Sequence, residues 1–231
     1  MSTDFLIAVD GNRTASLKKK IIHYYIANGD ATIADLCKEM DLSIPTVTKL
    51  VGELLEEGYI LDFGKQETSG GRKPNIYGLN PESGYFIGVD VRKDSVNIAI
   101  VDFKGKFVSI DEDVPYNLEN TPAAFDKLCC LIEDFIATLK VPREKILSVG
   151  VNITGRVNPI SGYSYSFFYF EEKPLSLIFE ERLKIKVYIE NDTRAMADGE
   201  YMKGVVKVEK TIIFVNISWG LGVGIILDGK L

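Results

Sequence analysis

The side chains best suited to chemistry in the first half of this chain are short hydroxyl groups and one ammonium group that lie close together. Ser43, Thr46, Thr48 and Lys49 occur in the segment SIPTVTKLVGELLEEGYI. Short or flexible donors of this kind form hydrogen bonds with base edges and with phosphates. We therefore expect these four residues to contact DNA if the chain presents them at one exposed helix end.

The elements predicted around this segment are two short helices joined by a tight turn. Thr32 and Asp35 form a reciprocal capping pattern that starts a helix over residues 33–40. A turn follows, Ser43 caps the next helix, and Pro45 fits its first turn, because a missing N–H costs nothing there. The second helix carries one buried apolar stripe, formed by Val47, Leu50, Val51, Leu54 and Leu55.

An earlier helix and a later hairpin complete the predicted first domain. The helix begins near Ser16, and the hairpin strands cover residues 59–63 and 75–79. Three helices and a hairpin, with the second and third helices joined by a three-residue turn, are typical of a winged helix-turn-helix. We assign this DNA-binding domain to residues 1–80.

Further donors suited to phosphate contacts flank the helix pair: Thr14, Lys18, Lys19, Lys20, Arg72 and Lys73. The Gly70-Gly71 pair is flexible enough to let Arg72 enter a minor groove. Two structural alternatives to DNA binding stay open. Helical hairpins also pack this way in proteins that do not bind nucleic acid, and a run of lysines is usually the solvent-exposed face of a helix. The net charge of −6 excludes strong nonspecific attraction to DNA, so binding needs locally grouped cations and should weaken with salt.

Composition indicates a folded chain with reduced thiols. Of its 231 residues, 46% are hydrophobic, which is ample for a packed core. The sequence has neither a run of 18 apolar residues nor a charged and then apolar leader, so we expect a cytoplasmic protein.

Three cysteines without a spaced pattern fit free thiols better than disulfides. The single histidine, His23, has no nucleophilic partner motif, and no catalytic residue is assigned.

The second half predicts a mixed α/β layered fold of the ribonuclease-H or actin type, over residues 85–231. A turn at Pro81–Gly84 separates it from the first domain. Strands are expected at residues 85–90, 95–102, 106–111, 146–153, 187–190 and from 211, and helices at 121–140, 175–183 and 193–203.

Four segments of this half resemble, in order and spacing, the family of repressors, open reading frames and sugar kinases known as ROK. They read IGVDVRKDSVNIAIVD, VGVNITGRVNPISG, KVYIENDTRAMADGEY and TIIFVNISWGLGVGIILDGKL. The helix GNRTASLKKKIIHYYI and the loop SGGRKP resemble the repressor branch of that family. The resemblance implies the first lobe of an actin-like sugar kinase fold behind a winged helix-turn-helix.

The ATP-binding loops of the family are altered in this chain. The family's first phosphate loop reads D-x-G-G-T-K and its second G-T-G-x-G. Here Asp90 is followed by Val-Arg-Lys-Asp-Ser, and the second loop reads Ser218-Trp219-Gly220-Leu221-Gly222. A bulky indole in the second loop and the loss of the glycine pair in the first would hinder the close approach of the backbone to a triphosphate. We expect a sensor rather than an enzyme.

The sugar-contacting pair of the family is matched by Asn191 and Asp192, and its adjoining loop by Thr154-Gly155 in place of Pro-Gly. An amide and a carboxylate can hold neighbouring hydroxyls without catalysis, and a helix cap by Asp192 is an open alternative. The resemblance places the family's second lobe, its zinc ligands and much of its dimer surface after residue 231. We therefore expect a fragment or a truncation, with no metal or other cofactor within this chain.

These patterns together predict a transcriptional regulator of carbohydrate genes, acting as a repressor. Its expected partners are double-stranded operator DNA, a sugar or sugar phosphate, and a second copy of the chain. No association with a membrane is expected. The alternative is an ATP-dependent sugar kinase with an accessory domain. A third reading is a truncated chain that competes for DNA without sensing a ligand.

Overall fold

The computed structural model describes residues 13–65, 74–170, 172–206, 208–218 and 220–231. These residues form two compact units. One contains the described residues up to Gly84 together with Asp102–Lys106, and the other contains Tyr85–Val101 and the described residues from Phe107 onward. None of the helices in these ranges is long and apolar enough to cross a lipid bilayer.

The first unit has three helices and a small antiparallel sheet. Its elements are α1 (Arg13–Asn28), β1 (Ala31–Thr32), α2 (Ile33–Met40), α3 (Ile44–Glu56), β2 (Ile60–Lys65) and β3 (Asn75–Leu79). Strand β3 pairs with β2 on one side and with the two-residue β1 on the other. The predicted stripe of α3 packs inward, with Val47, Leu50, Val51 and Leu54 buried. This arrangement is a winged helix-turn-helix.

Helix α2 starts as its capping residues require. The Thr32 hydroxyl accepts a hydrogen bond from the Asp35 N–H, and the Asp35 carboxylate accepts one from the Thr32 N–H. The helix ends at Asp41, which takes a left-handed conformation (φ 53°). A different arrangement starts α3, where Ser43 makes no side-chain cap. Ser43 is the N-cap residue, as predicted, but its hydroxyl pairs with the Thr46 hydroxyl at 2.8 Å instead of accepting a backbone N–H.

The second unit is a mixed α/β layer. Its strands are β4 (Tyr85–Val91), β5 (Ser95–Asp102), β6 (Phe107–Pro115), β7 (Ile146–Ile153), β8 (Val157–Asn158), β9 (Tyr163–Ser164), β10 (Val187–Asn191), β11 (Ile212–Ile217) and β12 (Leu221–Ile226). Its helices are α4 (Pro122–Thr138), α5 (Leu175–Leu183) and α6 (Asp192–Lys203). A five-stranded sheet has the order β10–β7–β4–β5–β6, in which β4, β7 and β10 are parallel.

The apolar core of this unit lies between the sheet and helices α4 and α5, where Leu128, Ile132 and Phe179 are fully buried. Strand β6 extends to Pro115, past the predicted end at residue 111. Its acidic run stays in the sheet because β6 pairs with β5, and the Asn97 side chain accepts the Asp113 N–H at 2.8 Å. A separate hairpin, β11–β12, packs against α6.

Candidate functional sites

The N-terminal end of α3 presents the four residues that the sequence singled out. Ser43, Thr46, Thr48 and Lys49 are all exposed. Lys49 is 76% exposed, and its ammonium group lies 3.9 Å from the Glu53 carboxylate on the same helix. An ion pair this exposed contributes little to stability, so the lysine is free to reorient toward a phosphate.

An apolar side chain in the same place escaped the sequence reasoning. Ile44 is the first residue of α3 and is 64% exposed. In a helix that enters the major groove, an apolar group at this end can meet the methyl group of thymine. Helical spacing alone would place Ile44 on the apolar stripe of α3, three residues before Val47 and seven before Val51, so no signal of its exposure is present in the sequence.

Lys18 does not have the exposed position expected of a phosphate contact. It is buried in α1, where its ammonium group lies 2.8 Å from Glu53 of α3 and 2.6 Å from Glu57, the residue that caps the end of α3. Burial alone would lower the pKa of Lys18, but the two carboxylates outweigh that effect and raise it. The hydrogen bond from Lys18 lowers the pKa of Glu53. Lys18 therefore fixes α1 to α3, and the expectation that it contacts phosphate was wrong.

The predicted minor-groove residues Arg72 and Lys73 lie outside the described residues. The strands that lead to and from their loop are β2 and β3, which pair antiparallel from Ile60–Leu79 to Lys65–Asn75. Arg72 and Lys73 remain sequence predictions.

The second candidate site is a cleft of about 960 Å³ within the second unit. It is bordered by the ends of β4, β7 and β10, by the start of α6 and by the β11–β12 hairpin. The carboxyl ends of parallel strands are the usual place for a ligand in an open α/β sheet. The cleft brings together all three predicted sugar-binding residues, Gly155, Asn191 and Asp192.

Asn191 and Asp192 are held rigidly at the junction of β10 and α6. The Asn191 side-chain oxygen Oδ1 caps α6 by accepting the Arg194 N–H at 3.0 Å. Its side-chain Nδ2 donates to the Gly155 carbonyl (3.0 Å) and to Asp192 Oδ1 (2.9 Å). Asp192 Oδ1 also accepts the Thr193 N–H at 2.7 Å. Among the described residues no group donates to Asp192 Oδ2, so this oxygen can accept a ligand hydroxyl.

Asn191, not Asp192, is the cap of α6, which corrects the alternative considered for Asp192. Asp192 is the first residue of the helix, where a carboxylate is favourable because it faces the free N–H groups. Gly155 adopts φ +95°, and a Cβ there would lie 2.4 Å from the Ser166 side chain. Gly155 therefore contributes a tight turn and a carbonyl that orients Asn191.

The part of the cleft rim that follows strand β4 contains an arginine paired with aspartate side chains. Arg92 donates from Nε to Asp90 Oδ2 at 3.0 Å and from its terminal nitrogen to Asp113 at 3.3 Å. Carboxylate oxygens are the ligands that Mg²⁺ prefers, and here an arginine occupies one of those of Asp90. One carboxylate oxygen of Asp90 is therefore already paired with a cationic side chain in this chain. The described part of the chain contains no cluster of three or more His, Cys, Asp or Glu side chains that could hold a metal ion.

Comparison with known proteins agrees with this architecture. Residues 86–231 match the model of the ROK family, and residues 16–60 match a winged helix-turn-helix DNA-binding model. The chain belongs to the ROK family. The resemblance inferred from the sequence and the predicted fold class are thereby confirmed.

The relatives with which the chain aligns include proteins named xylose repressors. It is 26% identical over 215 residues to the xylose repressor of Bacillus subtilis, covering 93% of this chain and 56% of the relative. It is 30% identical over 199 residues to the xylose repressor of Caldicellulosiruptor bescii, covering 85% and 50% respectively. The chain thus spans about half the length of the curated relatives it matches.

A solved structure shows the same fold across nearly the whole chain. It is a ROK family transcriptional regulator described as a homologue of the Escherichia coli Mlc protein, with a TM-score of 0.74 and 22% identity. The similarity covers 94% of this chain and 55% of that structure.

Proposed function

We propose that this chain is the DNA-binding and ligand-sensing part of a transcriptional repressor of carbohydrate genes. The observation that carries the proposal is the exposed start of α3, where Ser43, Thr46 and Lys49 follow a short turn from α2 in a winged helix-turn-helix. Such a helix inserts its N-terminal residues into the major groove. The repressors among its relatives support the regulatory role.

The effector in this proposal is a sugar or sugar phosphate bound in the cleft. Asp192, Thr154, Asn216 and Ser218 all line this cleft, and side chains of these types recognise hydroxyls by hydrogen bonding. Because several relatives are named xylose repressors, xylose is the first sugar to test. The chain acts as a homodimer on a two-fold operator in the cytoplasm, and the ligand favours one arrangement of the protein over another.

A selection experiment tests the DNA-binding part. The full chain is incubated with a random duplex pool at near-physiological salt, and bound sequences are compared between wild type and the Arg72→Ala/Lys73→Ala variant. We expect a two-fold symmetric site that the variant enriches less. Failure of the folded wild-type chain to enrich any sequence contradicts the proposal.

The rival function is an ATP-dependent sugar kinase, and one contact speaks against it. Arg92 occupies one carboxylate oxygen of Asp90. An assay of ADP release with xylose and a panel of hexoses distinguishes the two functions. We expect release no faster than without sugar, whereas sugar-dependent release by the wild-type chain supports the kinase.

A further inference from the structure

The winged helix-turn-helix unit contains a segment from far along the chain. Residues Asp102–Lys106 form the turn between β5 and β6, and they group with the first unit while the strands themselves belong to the second. The match to the winged helix-turn-helix family ends at residue 60 and does not include this turn.

Phe103 is the apolar anchor of the turn. It is only 6% exposed, its ring centroid lies 5.8 Å from that of the buried Tyr59, and its N–H donates to the Pro81 carbonyl at 3.2 Å. Tyr59 joins recognition helix α3 to wing strand β2. Its N–H bonds to the Leu54 carbonyl at 3.0 Å, and its carbonyl accepts the Asn80 N–H at 2.9 Å. Phe103 therefore packs on the residue that connects α3 to β2.

Lys104 adds a polar contact beside this anchor. Its ammonium group lies 3.2 Å from Asp30 Oδ1 and 5.1 Å from the ring centroid of Phe63 in β2. Asp30 is itself confined, because it packs on Gly78, where a Cβ would lie 1.9 Å from Asp30 Oδ1. One lysine thus joins the loop after α1 to the wing strand.

The turn is rigid enough to act as a support. Asp102 Oδ1 accepts the N–H groups of Lys104 (2.8 Å) and Lys106 (3.0 Å), and Gly105 adopts φ +79°. A side-chain oxygen that accepts two N–H groups of the same turn fixes the backbone conformation of that turn locally, without help from packing against other elements.

We propose that Asp102–Lys106 is a positioning element of the DNA-binding unit, with Phe103 and Lys104 holding Tyr59 and strand β2. Strand β5 begins at Ser95, whose carbonyl accepts the Arg92 N–H at the cleft rim (2.9 Å), and ends at this turn.

Hydrogen–deuterium exchange of the full chain tests the positioning role without any DNA or sugar. Phe103→Ala is compared with Phe107→Ala, a matched control because Phe107 is 65% exposed on β6. We expect Phe103→Ala to speed exchange in residues 59–65 and 75–80 by about 100-fold, with exchange in β7 and β10 unchanged. Phe107→Ala should change neither region. If Phe103→Ala and Phe107→Ala leave residues 59–65 equally protected, the proposal is wrong.

A milder pair of variants keeps the test decisive if Phe103→Ala does not fold. Lys104→Ala should speed exchange in residues 59–65 about threefold, and Lys106→Ala, which removes an exposed lysine of the same turn, should not. In an Asp30→Ala background, Lys104→Ala should lose most of its effect, because the ion pair is already gone. Equal effects of Lys104→Ala in both backgrounds contradict the role of Lys104. The exchange measurements use neither DNA nor sugar, so their result does not depend on whether the selection experiment above finds a binding site.

Discussion

Gly222 lies directly against Thr193, so close that a Cβ on the glycine would be 2.0 Å from the threonine hydroxyl oxygen. Strand β12 therefore packs on α6 only because residue 222 has no side chain. In this chain the second glycine-containing loop thus has a packing role that is independent of any phosphate.

Gly222→Ala is expected to destabilise the second unit by about 2 kcal/mol, because the added methyl group must displace either β12 or the start of α6. Gly220→Ala is the matched control, since nothing lies within 4 Å of its Cβ position. Chemical denaturation of both variants measures the difference. Equal stability of the two variants would show that β12 does not pack on α6 as described.

Replacement of Lys18 by alanine should destabilise the first unit by about 2 kcal/mol, because Glu53 and Glu57 lose their shared cation. Lys20→Ala, an exposed change on the same helix, should cost less than about 0.5 kcal/mol. Guanidinium unfolding measured at neutral pH gives both values.

The effect of Lys18→Ala should also depend on pH. Lys18 lowers the pKa of Glu53 in the folded chain below its ordinary value of 4.5. Stabilisation by a carboxylate with a lowered pKa is complete above the unfolded pKa and is lost as the pH falls through the folded pKa. The difference between wild type and Lys18→Ala should therefore shrink below about pH 4. A difference that stays constant down to pH 2 would exclude this ion pair as its source.

Asp192→Asn should weaken sugar binding by about 10-fold to 100-fold, since a neutral amide accepts a hydroxyl less strongly than a carboxylate does. Thermal unfolding with xylose and a hexose panel reports binding, because a ligand at 100 times its Kd adds about 2.7 kcal/mol. Asp198→Asn, an exposed change on α6, should retain the full shift. A sugar that stabilises wild type and Asp192→Asn equally does not bind at Asp192.

Ile44 should read a thymine methyl group. Replacing the contacted thymine by deoxyuridine in a selected duplex should cost wild type about 0.8 kcal/mol per contact, the value of one buried methylene. Ile44→Ala should bind the two duplexes equally. Titrations with labelled duplexes measure both, and an undiminished preference for thymine in Ile44→Ala would assign the contact to another residue.

Local features of this fold were predictable because they depend on neighbours in the sequence. The Thr32 and Asp35 capping box is written in a four-residue pattern, and the buried stripe of α3 follows from helical spacing. The cleft residues Asn191 and Asp192 were found through resemblance to a family, since an Asn-Asp pair alone is compatible with an ordinary helix cap.

Other features depend on partners that are distant in sequence. The burial of Lys18 requires α1 to pack on α3, and nothing in the run Lys18-Lys19-Lys20 distinguishes the buried lysine from its neighbours. The contact of Arg92 with Asp113 requires β6 to extend beyond its predicted end. The placement of Phe103 against Tyr59 joins residues 44 positions apart, which no local pattern encodes.

Specific DNA binding by α3 is the central claim, and a fluorescence anisotropy titration tests it most directly. Wild type, Ser43→Ala/Thr46→Ala/Lys49→Ala and the exposed control Lys127→Ala are titrated with the selected duplex and a scrambled one at the same salt concentration. Wild type and Lys127→Ala should bind the selected duplex at least about 1,000-fold more tightly than the scrambled one. The triple variant should lose most of that preference. Equal affinity of folded wild type for both duplexes, or full specificity in the triple variant, would contradict the account.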